Sequence, residues 1–317
     1  MIRRLVLLSA VLLLGACART PIVPIGSAEL PEQVELAEVP FFPQAAYQCG
    51  PAALATMLVQ RGVNTGPDQL VERVYLPERK GSLQVEMVAA ARAHDLLVYP
   101  VEPRLEALLT EVAAGNPVLV LQNLAFDRWP QWHFAVVMGY DLTTQTIVLR
   151  SGTTRRWIGS FRQFERSWAK GDRWAIVTVM PDQLPQTAKE TLWLKAANDL
   201  EQTGHIDAAQ QAYETAAKRW SGGLSWFALG NSWYAQGDKR AAERALRTSV
   251  QRDETFAAGW FNLSQVLAER GCTAQSSRAR ACAVKLAPED ERFTAELPAV
   301  QGDEMAACEA PPPCPVH

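Results

Sequence analysis

The fold is decided by the segment Pro40-Phe-Phe-Pro-Gln-Ala-Ala-Tyr-Gln-Cys-Gly-Pro-Ala-Ala-Leu-Ala-Thr-Met-Leu-Val-Gln-Arg61. Pro51 fixes a helical φ and lacks the N–H that a first helical turn leaves unpaired, so a helix is predicted to start just after Cys49. Gly62 is a typical helix stop. Apolar residues follow Pro51 at helical spacing: Leu54, Met57 and Leu58. The pattern predicts an amphipathic helix with a thiol at its N-terminus.

A thiol at this position has chemical consequences. The positive end of the helix dipole and the free amides favour the thiolate, which is the nucleophilic form of cysteine. Gln44 lies five residues upstream, near enough for its amide to donate to a developing oxyanion. The two residues together predict acyl-transfer chemistry. The alternative for Cys49 is a buried small hydrophobe or half of a disulfide.

The stretch from Pro40 to Leu54 resembles the nucleophile segment of papain-like cysteine peptidases related to those that remove double-glycine leaders from bacteriocins. The resemblance rests on Pro-Phe-Phe-Pro-Gln44 and on Tyr-Gln-Cys49-Gly-Pro-Ala-Ala-Leu54. In that family the glutamine completes the oxyanion hole. The resemblance therefore implies Cys49 as nucleophile and Gln44 as an oxyanion donor.

A general base is expected at the start of a later strand. His133 opens the predicted strand His-Phe-Ala-Val-Val-Met-Gly-Tyr140, and catalytic groups often lie at element ends held by a rigid sheet. The segment from Trp132 to Asp141 resembles the base strand of the same peptidases, in the same Cys-before-His order. We therefore predict His133 as the base. The other three histidines are interpreted as structural or terminal: His94, His205 and His317.

A third group would orient His133. Asp141 lies eight residues further along the same strand, which is too far at about 3.3 Å per residue. Folding the strand back around a turn near Asp141 places Ser151 opposite His133, where the related peptidases carry an aspartate. The side-chain carbonyl of Asn123, at the end of the neighbouring strand, is the other candidate. The sequence predicts a Cys–His dyad with a neutral third partner, Ser151 or Asn123.

The pattern between residues 36 and 182 alternates between helix and strand and predicts an α+β domain with an antiparallel sheet. Predicted helices cover 67–75, a segment capped by Ser82 through Ala91, 105–114 and 161–168. Predicted strands cover 96–100, 117–122, 133–140, 146–151 and 174–180.

Beyond residue 187 the chain is rich in alanine and shows a repeat. Tryptophans, glycines and alanines recur every 33 or 34 residues, a period that indicates tetratricopeptide repeats. The positions in step are Trp193, Trp226, Trp260, Gly204, Gly237, Gly271, Ala212, Ala245 and Ala279. We predict an all-α tetratricopeptide repeat domain over 187–290. Its concave surface would bind a peptide or protein, or the repeats would serve only as a spacer or dimer contact.

The N-terminus predicts export. Arg3 and Arg4 precede an apolar run from Leu5 to Leu14, which is too short for a bilayer span of about 20 residues. The first 16 residues are thus a predicted signal peptide.

The sequence Leu14-Gly-Ala-Cys17 matches the lipobox of bacterial lipoproteins, in which the cysteine becomes the acylated first residue. Ala18 at the second mature position suggests, by resemblance to that class, the outer membrane. We expect a lipid anchor on Cys17, a position facing the periplasm and a tether over 17–35. The alternative is an ordinary secretory signal with an incidental cysteine.

Charge and composition limit the partners. Loss of Arg3 and Arg4 takes the formal net charge from −3 to −5, so the chain lacks the basic footprint of a nucleic-acid binder. The 317 residues leave room for about two domains. No metal or organic cofactor is needed for thiol chemistry.

The tail over 291–317 is rich in proline and alanine and predicts little regular structure. In an oxidising compartment the four C-terminal cysteines would form disulfides, for which three pairings exist. We expect Cys272 with Cys282 and Cys308 with Cys314, because both loops close locally.

Together these features predict a periplasm-facing lipoprotein cysteine peptidase that hydrolyses peptide bonds and recruits substrate or partner through its repeats. The alternative is a non-catalytic peptide-binding or scaffolding lipoprotein on a peptidase-like fold. A third hypothesis is amide transfer or isopeptide chemistry at the same dyad.

Overall fold

The computed structural model describes residues 30–44, 48–294 and 308–315. The predicted signal peptide, Cys17 and most of the predicted tether lie outside these residues. No helix within the described ranges is long and apolar enough to cross a membrane. The chain forms two compact units: unit 1 runs to Met87 and again over Pro100–Val177, and unit 2 comprises Val88–Tyr99 and the chain from Thr178 onward.

Seven strands are present in the described residues. They are β1 (Gln33–Glu35), β2 (Leu97–Pro100), β3 (Val118–Asn123), β4 (Trp132–Asp141), β5 (Thr146–Ser151), β6 (Thr154–Ser160) and β7 (Ala175–Val179). Within unit 1 the sheet has the order β7-β3-β4-β5-β6, and β1 also pairs with β4. Every one of these pairings is antiparallel, as predicted.

Five α-helices of the described residues lie in unit 1 or begin there. They are α1 (Cys49–Gln60), α2 (Pro67–Val74), α3 (Gln84–Arg92, which continues into unit 2), α4 (Leu105–Ala113) and α5 (Phe161–Ala169). Helix α1 packs against β4, and α5 packs against β3. Strands β3 and β4 are buried along almost their whole length because side chains on both faces are covered. Helix α1 is likewise buried from Gly50 to Leu58, so it is a central helix rather than the amphipathic helix that its spacing predicted.

Two strands were not predicted. Strand β6 reads Thr-Arg-Arg-Trp-Ile-Gly-Ser160 and is mostly exposed, so it lacks the apolar run that marks an interior strand. Strand β1 occupies the last three residues of the predicted tether and pairs Val34 with Tyr140. Ser82 is not a helix cap either: its hydroxyl is buried and has no hydrogen-bond partner.

Unit 2 contains a run of helices between residues 190 and 286. They are α6 (Glu190–Gln202), α7 (Ile206–Arg219), α8 (Leu224–Ala235), α9 (Lys239–Arg252), α10 (Ala257–Glu269) and α11 (Thr273–Leu286). Gly204, Gly237 and Gly271 lie between α6 and α7, α8 and α9, and α10 and α11, with φ of 87°, 85° and 80°. This left-handed conformation favours glycine, which explains why the glycines recur at the period of the helix pairs.

The predicted disulfide pairing is wrong. The structure joins Cys272 to Cys308 and Cys282 to Cys314. Cys272 caps α11 and Cys282 lies within it. Ten helical residues rise about 15 Å, whereas bonded cysteines have Cα atoms within about 7 Å of each other. The helix therefore excludes the local pairing, and residues 308–315 lie without helix or strand along α11.

Candidate active site

The helix that carries the thiol begins at Cys49 itself, two residues before Pro51, and not just after Cys49 as predicted. Gly50 follows it at a crowded position. A Cβ atom there would lie 2.2 Å from Ser82 Oγ and 2.6 Å from Ser82 Cβ, so only glycine lets this end of α1 pack against Ser82. Cys49 is thereby held at the helix start.

Cys49 is a free thiol of intermediate burial. It lies in a small cleft, here called the thiol cleft, with Gln44, Phe134, Arg150 and Ser151 among its other lining residues. Burial raises the pKa of Cys49, and hydrogen bonds from the backbone N–H groups of Phe134, Gly50 and Cys49 lower it to a smaller extent. The predicted helix effect on the thiolate is therefore present, but burial outweighs it.

His133 is the second residue of β4 and is 7% exposed. Its Nε2 lies 2.9 Å from Ser151 Oγ. Burial lowers the pKa of His133 to about 4, so the imidazole is neutral at neutral pH. An uncharged imidazole can accept a proton, which a general base must do.

The strand register brings Ser151 to His133 in a different way from the one predicted. Val136 pairs with Arg150, which places Ser151 beside Ala135 rather than opposite His133. Residues 133 and 135 face the same side of the sheet, and such diagonal neighbours are within reach of a long side chain. The imidazole bridges this diagonal.

The backbone of β4 brings His133 close to Cys49. The N–H of Phe134, the residue that follows His133, contacts the sulfur of Cys49. Within the described residues, no hydrogen bond joins the sulfur to the imidazole. Catalytic hydrogen bonds are often long in a free enzyme and shorten when substrate binds.

The other two candidates for a third group have different partners. Asn123 Oδ1 accepts from the backbone N–H groups of Ala125 and Gln131, at 3.0 and 2.9 Å, and closes the loop between β3 and β4. Asp141 Oδ1 accepts from Thr143 and Thr144 in the turn after β4. The structure thus brings Ser151, but neither Asn123 nor Asp141, into hydrogen-bond contact with the imidazole.

Gln44 lies on the same cleft as Cys49. Its backbone N–H donates to the Gly152 carbonyl at 3.2 Å, which ties this segment to the turn that follows Ser151. Residues 45–47 lie outside the described part of the chain.

Arg150 is a site residue that the sequence analysis did not single out. Its guanidinium is buried and donates to the carbonyls of Ala37, Val39 and Arg155. These bonds hold the chain that leads into Pro40 and Gln44. An arginine at the end of the apolar run Ile-Val-Leu149 was the available signal, because a buried guanidinium requires several acceptors.

The part of the chain that holds this site also matches a known protein family. Residues 36–175 match the model of the Peptidase_C39 like family. The match to the C39-like family spans the thiol cleft, His133 and Ser151.

Two solved structures are similar to the same part of the chain. A crystal structure of a C39-like peptidase from Bacillus anthracis is 18% identical, with a TM-score of 0.40, and the match covers 49% of this chain and 100% of that one. A double glycine motif protease from an AMS/PCAT transporter, solved with the leader peptide, is 20% identical, with a TM-score of 0.33, and coverages of 45% and 91%. At these values neither structure identifies what this chain does. The comparison with curated proteins finds no match.

The predicted fold class is confirmed. The chain has an N-terminal α+β sheet domain like those of C39 peptidases, followed by a run of helices that is compatible with an all-α repeat domain.

Proposed function

We propose that this protein is a cysteine peptidase with Cys49 as nucleophile and His133 as general base. The observation that carries the proposal is that Cys49 contacts the backbone N–H of Phe134, while the preceding His133 is held by Ser151 at 2.9 Å. The thiol therefore lies against the residue that follows a neutral imidazole, and nucleophilic thiol catalysis requires a base near the nucleophile.

In the proposed reaction His133 takes the proton of the Cys49 thiol as the sulfur attacks the carbonyl carbon of a peptide bond. The carbonyl π electrons move to oxygen, and the oxyanion is stabilised by the Gln44 amide and a backbone N–H near Cys49. The intermediate collapses with cleavage of the C–N bond, and imidazolium protonates the leaving amine. Water then hydrolyses the thioester and restores the thiol.

The resting pair is uncharged in this proposal. Burial raises the pKa of Cys49 and lowers that of His133, and both shifts favour thiol with imidazole over thiolate with imidazolium. Proton transfer is therefore coupled to the attack and does not precede it. The Ser151 hydroxyl accepts from the imidazole N–H and orients the ring.

The cellular setting extends the proposal. A lipid on Cys17 would anchor the protein to the outer membrane facing the periplasm, and the helices over 190–286, as tetratricopeptide repeats, would recruit the peptide substrate or a protein partner. The support is the lipobox Leu14-Gly-Ala-Cys17 and the period of the helix pairs. Replacing Cys17 with Ser should abolish acyl labelling and release the protein from membranes; full retention would contradict the anchor.

The test of the enzyme uses the chain from residue 18 to 317. An electrophilic peptide probe should label Cys49 faster than it labels a free thiol, and a peptide mixture should be cleaved. Cys49→Ala should abolish both activities, and His133→Ala should reduce both by about a hundredfold or more. Labelling that is no faster than that of free cysteine, and unchanged in His133→Ala, would reject the proposal.

The alternative is a peptide-binding protein without catalysis. It is favoured by one observation, namely that His133 meets the neutral Ser151 where a carboxylate would make a stronger base. Peptide binding by wild type and by Cys49→Ala with equal affinity, with no cleavage by either, would support this function.

A further inference from the structure

A second cleft, of about 540 Å³, adjoins the thiol cleft in unit 1. We call it the basic cleft. Ser151, the partner of His133, lines both clefts, so a chain bound at Cys49 can continue from one into the other. Leu124 and Trp157 provide apolar surface, and Gln122 and Ser167 join across the floor by a hydrogen bond of 2.7 Å.

The charged groups that line the basic cleft are cations. Arg166 and Lys170 line it, and no Asp or Glu is among its lining residues. Lys170 Nζ donates to the Ala125 carbonyl at 2.6 Å and lies 3.5 Å from the carboxylate of the exposed Asp127, which offsets part of its charge.

Arg166 is the stronger anion site of the two. Its Nε donates to the Arg162 carbonyl at 3.3 Å, and no carboxylate of the described residues lies within ion-pair distance of it. A guanidinium can bind a carboxylate through two parallel hydrogen bonds, a geometry that an ammonium group lacks.

We infer that the basic cleft binds a carboxylate side chain of the substrate, in the part C-terminal to the cleaved bond, with Arg166 as its main partner. This inference rests on the proposed function for its direction. Imidazolium must protonate the leaving amine, so the C-terminal part of the substrate lies on the side of His133 and its partner Ser151, where the basic cleft begins. A side chain that reaches Arg166 from there would be acidic.

The experiment uses pools of octapeptides, each with Glu, Gln or Lys fixed at one position and mixed residues elsewhere. Cleavage by wild-type protein, with mass spectrometry to locate the cut, should give kcat/KM about fivefold higher for Glu than for Gln at one position C-terminal to the cut, and lower still for Lys. The Glu preference should fall as salt is raised from 50 to 500 mM.

Arg166→Gln should remove this preference. The matched control is Arg173→Gln, which removes one positive charge from an arginine that pairs with Glu165 and does not line the cleft. It should keep the preference. Equal cleavage of Glu and Lys pools, a preference that survives Arg166→Gln, or a Glu preference confined to positions N-terminal to the cut would overturn the inference while leaving the peptidase proposal intact.

A binding experiment distinguishes the failure of the carboxylate site from the failure of the peptidase proposal. Fluorescein-labelled Glu and Lys pools are titrated against Cys49→Ala and against Cys49→Ala with Arg166→Gln, and anisotropy is measured. If wild type cleaves nothing but the Cys49→Ala protein prefers Glu pools through Arg166, the peptidase proposal fails and the anion site stands. Absence of both cleavage and Glu-selective binding would reject both.

Discussion

The two units build their interiors in different ways. In unit 1, the candidate site combines three segments of the chain that come together only because the sheet pairs. They contribute Gln44 with Cys49, His133, and Ser151. In unit 2, Trp193 donates from Nε1 to the Ala212 carbonyl of the next helix at 2.8 Å. The period of the helix pairs makes the unit 2 contacts local, whereas the candidate site of unit 1 depends on long-range register. Damage to each unit should therefore have different consequences.

The largest effect is expected from Trp193→Ala, which removes the local contact between two helices of unit 2. Trp193 is fully buried, so truncation should cost about 3–5 kcal/mol of the free energy of unfolding of the helical region. Urea denaturation followed by circular dichroism measures the loss.

The control for Trp193→Ala is Trp129→Ala, because Trp129 is 69% exposed in unit 1 and its truncation should change stability little. The rate of Cys49 labelling should be the same in Trp193→Ala and wild type under native conditions. A labelling rate that falls in parallel with stability would mean that the site depends on the helices of unit 2.

Acid should destabilise unit 1, whose candidate site depends on long-range contacts. The folded-state pKa of His133 is about 4 against an unfolded value of 6.5, so the unfolded chain binds a proton that the folded chain excludes. This contribution is fully present above pH 6.5 and is lost as the pH falls toward 4, by about 3 kcal/mol. His133→Gln should show a shallower fall of stability over this window, measured by urea titrations at each pH. Identical slopes in the two proteins would show that His133 does not titrate with a lowered pKa.

Arg150→Met tests whether the chain before Gln44 needs its anchor. The change leaves the carbonyls of Ala37, Val39 and Arg155 without their donor and should cost about 2–3 kcal/mol. Labelling of Cys49 should also slow, because the Gln44 segment is no longer held. Arg155→Met, at an exposed position of β6, serves as the control and should leave the labelling rate as in wild type.

The smallest effect is expected at the third group. Ser151→Ala should lower kcat/KM about tenfold, since it removes the acceptor that orients the imidazole. Ser151→Asp should raise the pKa of His133 and shift the acid limb of the pH–rate profile to higher pH. Asp141→Asn is the control, and a loss there larger than in Ser151→Ala would reject Ser151 as the orienting group.

The contrast also explains what the sequence could predict. The helices of unit 2 follow from a period, and the order of elements in unit 1 follows from apolar runs and from Pro51 and Gly62. The contact between His133 and Ser151 was predicted from a hairpin, although the register differs by two residues. The structure pairs Asp141 with Thr146, so the turn is centred later in the chain than the predicted turn near Asp141-Leu-Thr, and a bulge between Val137 and Gly139 recovers one residue of that difference. Gly139 was the available mark of the bulge, because a glycine inside a strand often indicates one.

Other features were beyond sequence reasoning for physical reasons. The pKa of Cys49 depends on how deeply α1 is buried, and the helix start alone predicted the opposite sign. The guanidinium of Arg150 is satisfied by carbonyls more than a hundred residues earlier in the chain. The disulfide pairing, in contrast, could have been excluded from the helical rise between Cys272 and Cys282.

The disulfide pairing fixes the length that the tail must have between Cys308 and Cys314. Between the helix cysteines the chain rises about 15 Å, and between Cys308 and Cys314 six extended residues that include three prolines reach about 19 Å. The first cysteine of the helix bonds to the first cysteine of the tail and the second to the second, so the tail runs parallel to α11. Its extended length exceeds the distance that it must span by roughly one residue. Insertions between its cysteines would form a bulge that solvent accommodates, whereas the loss of more than one residue would leave the second bond out of reach.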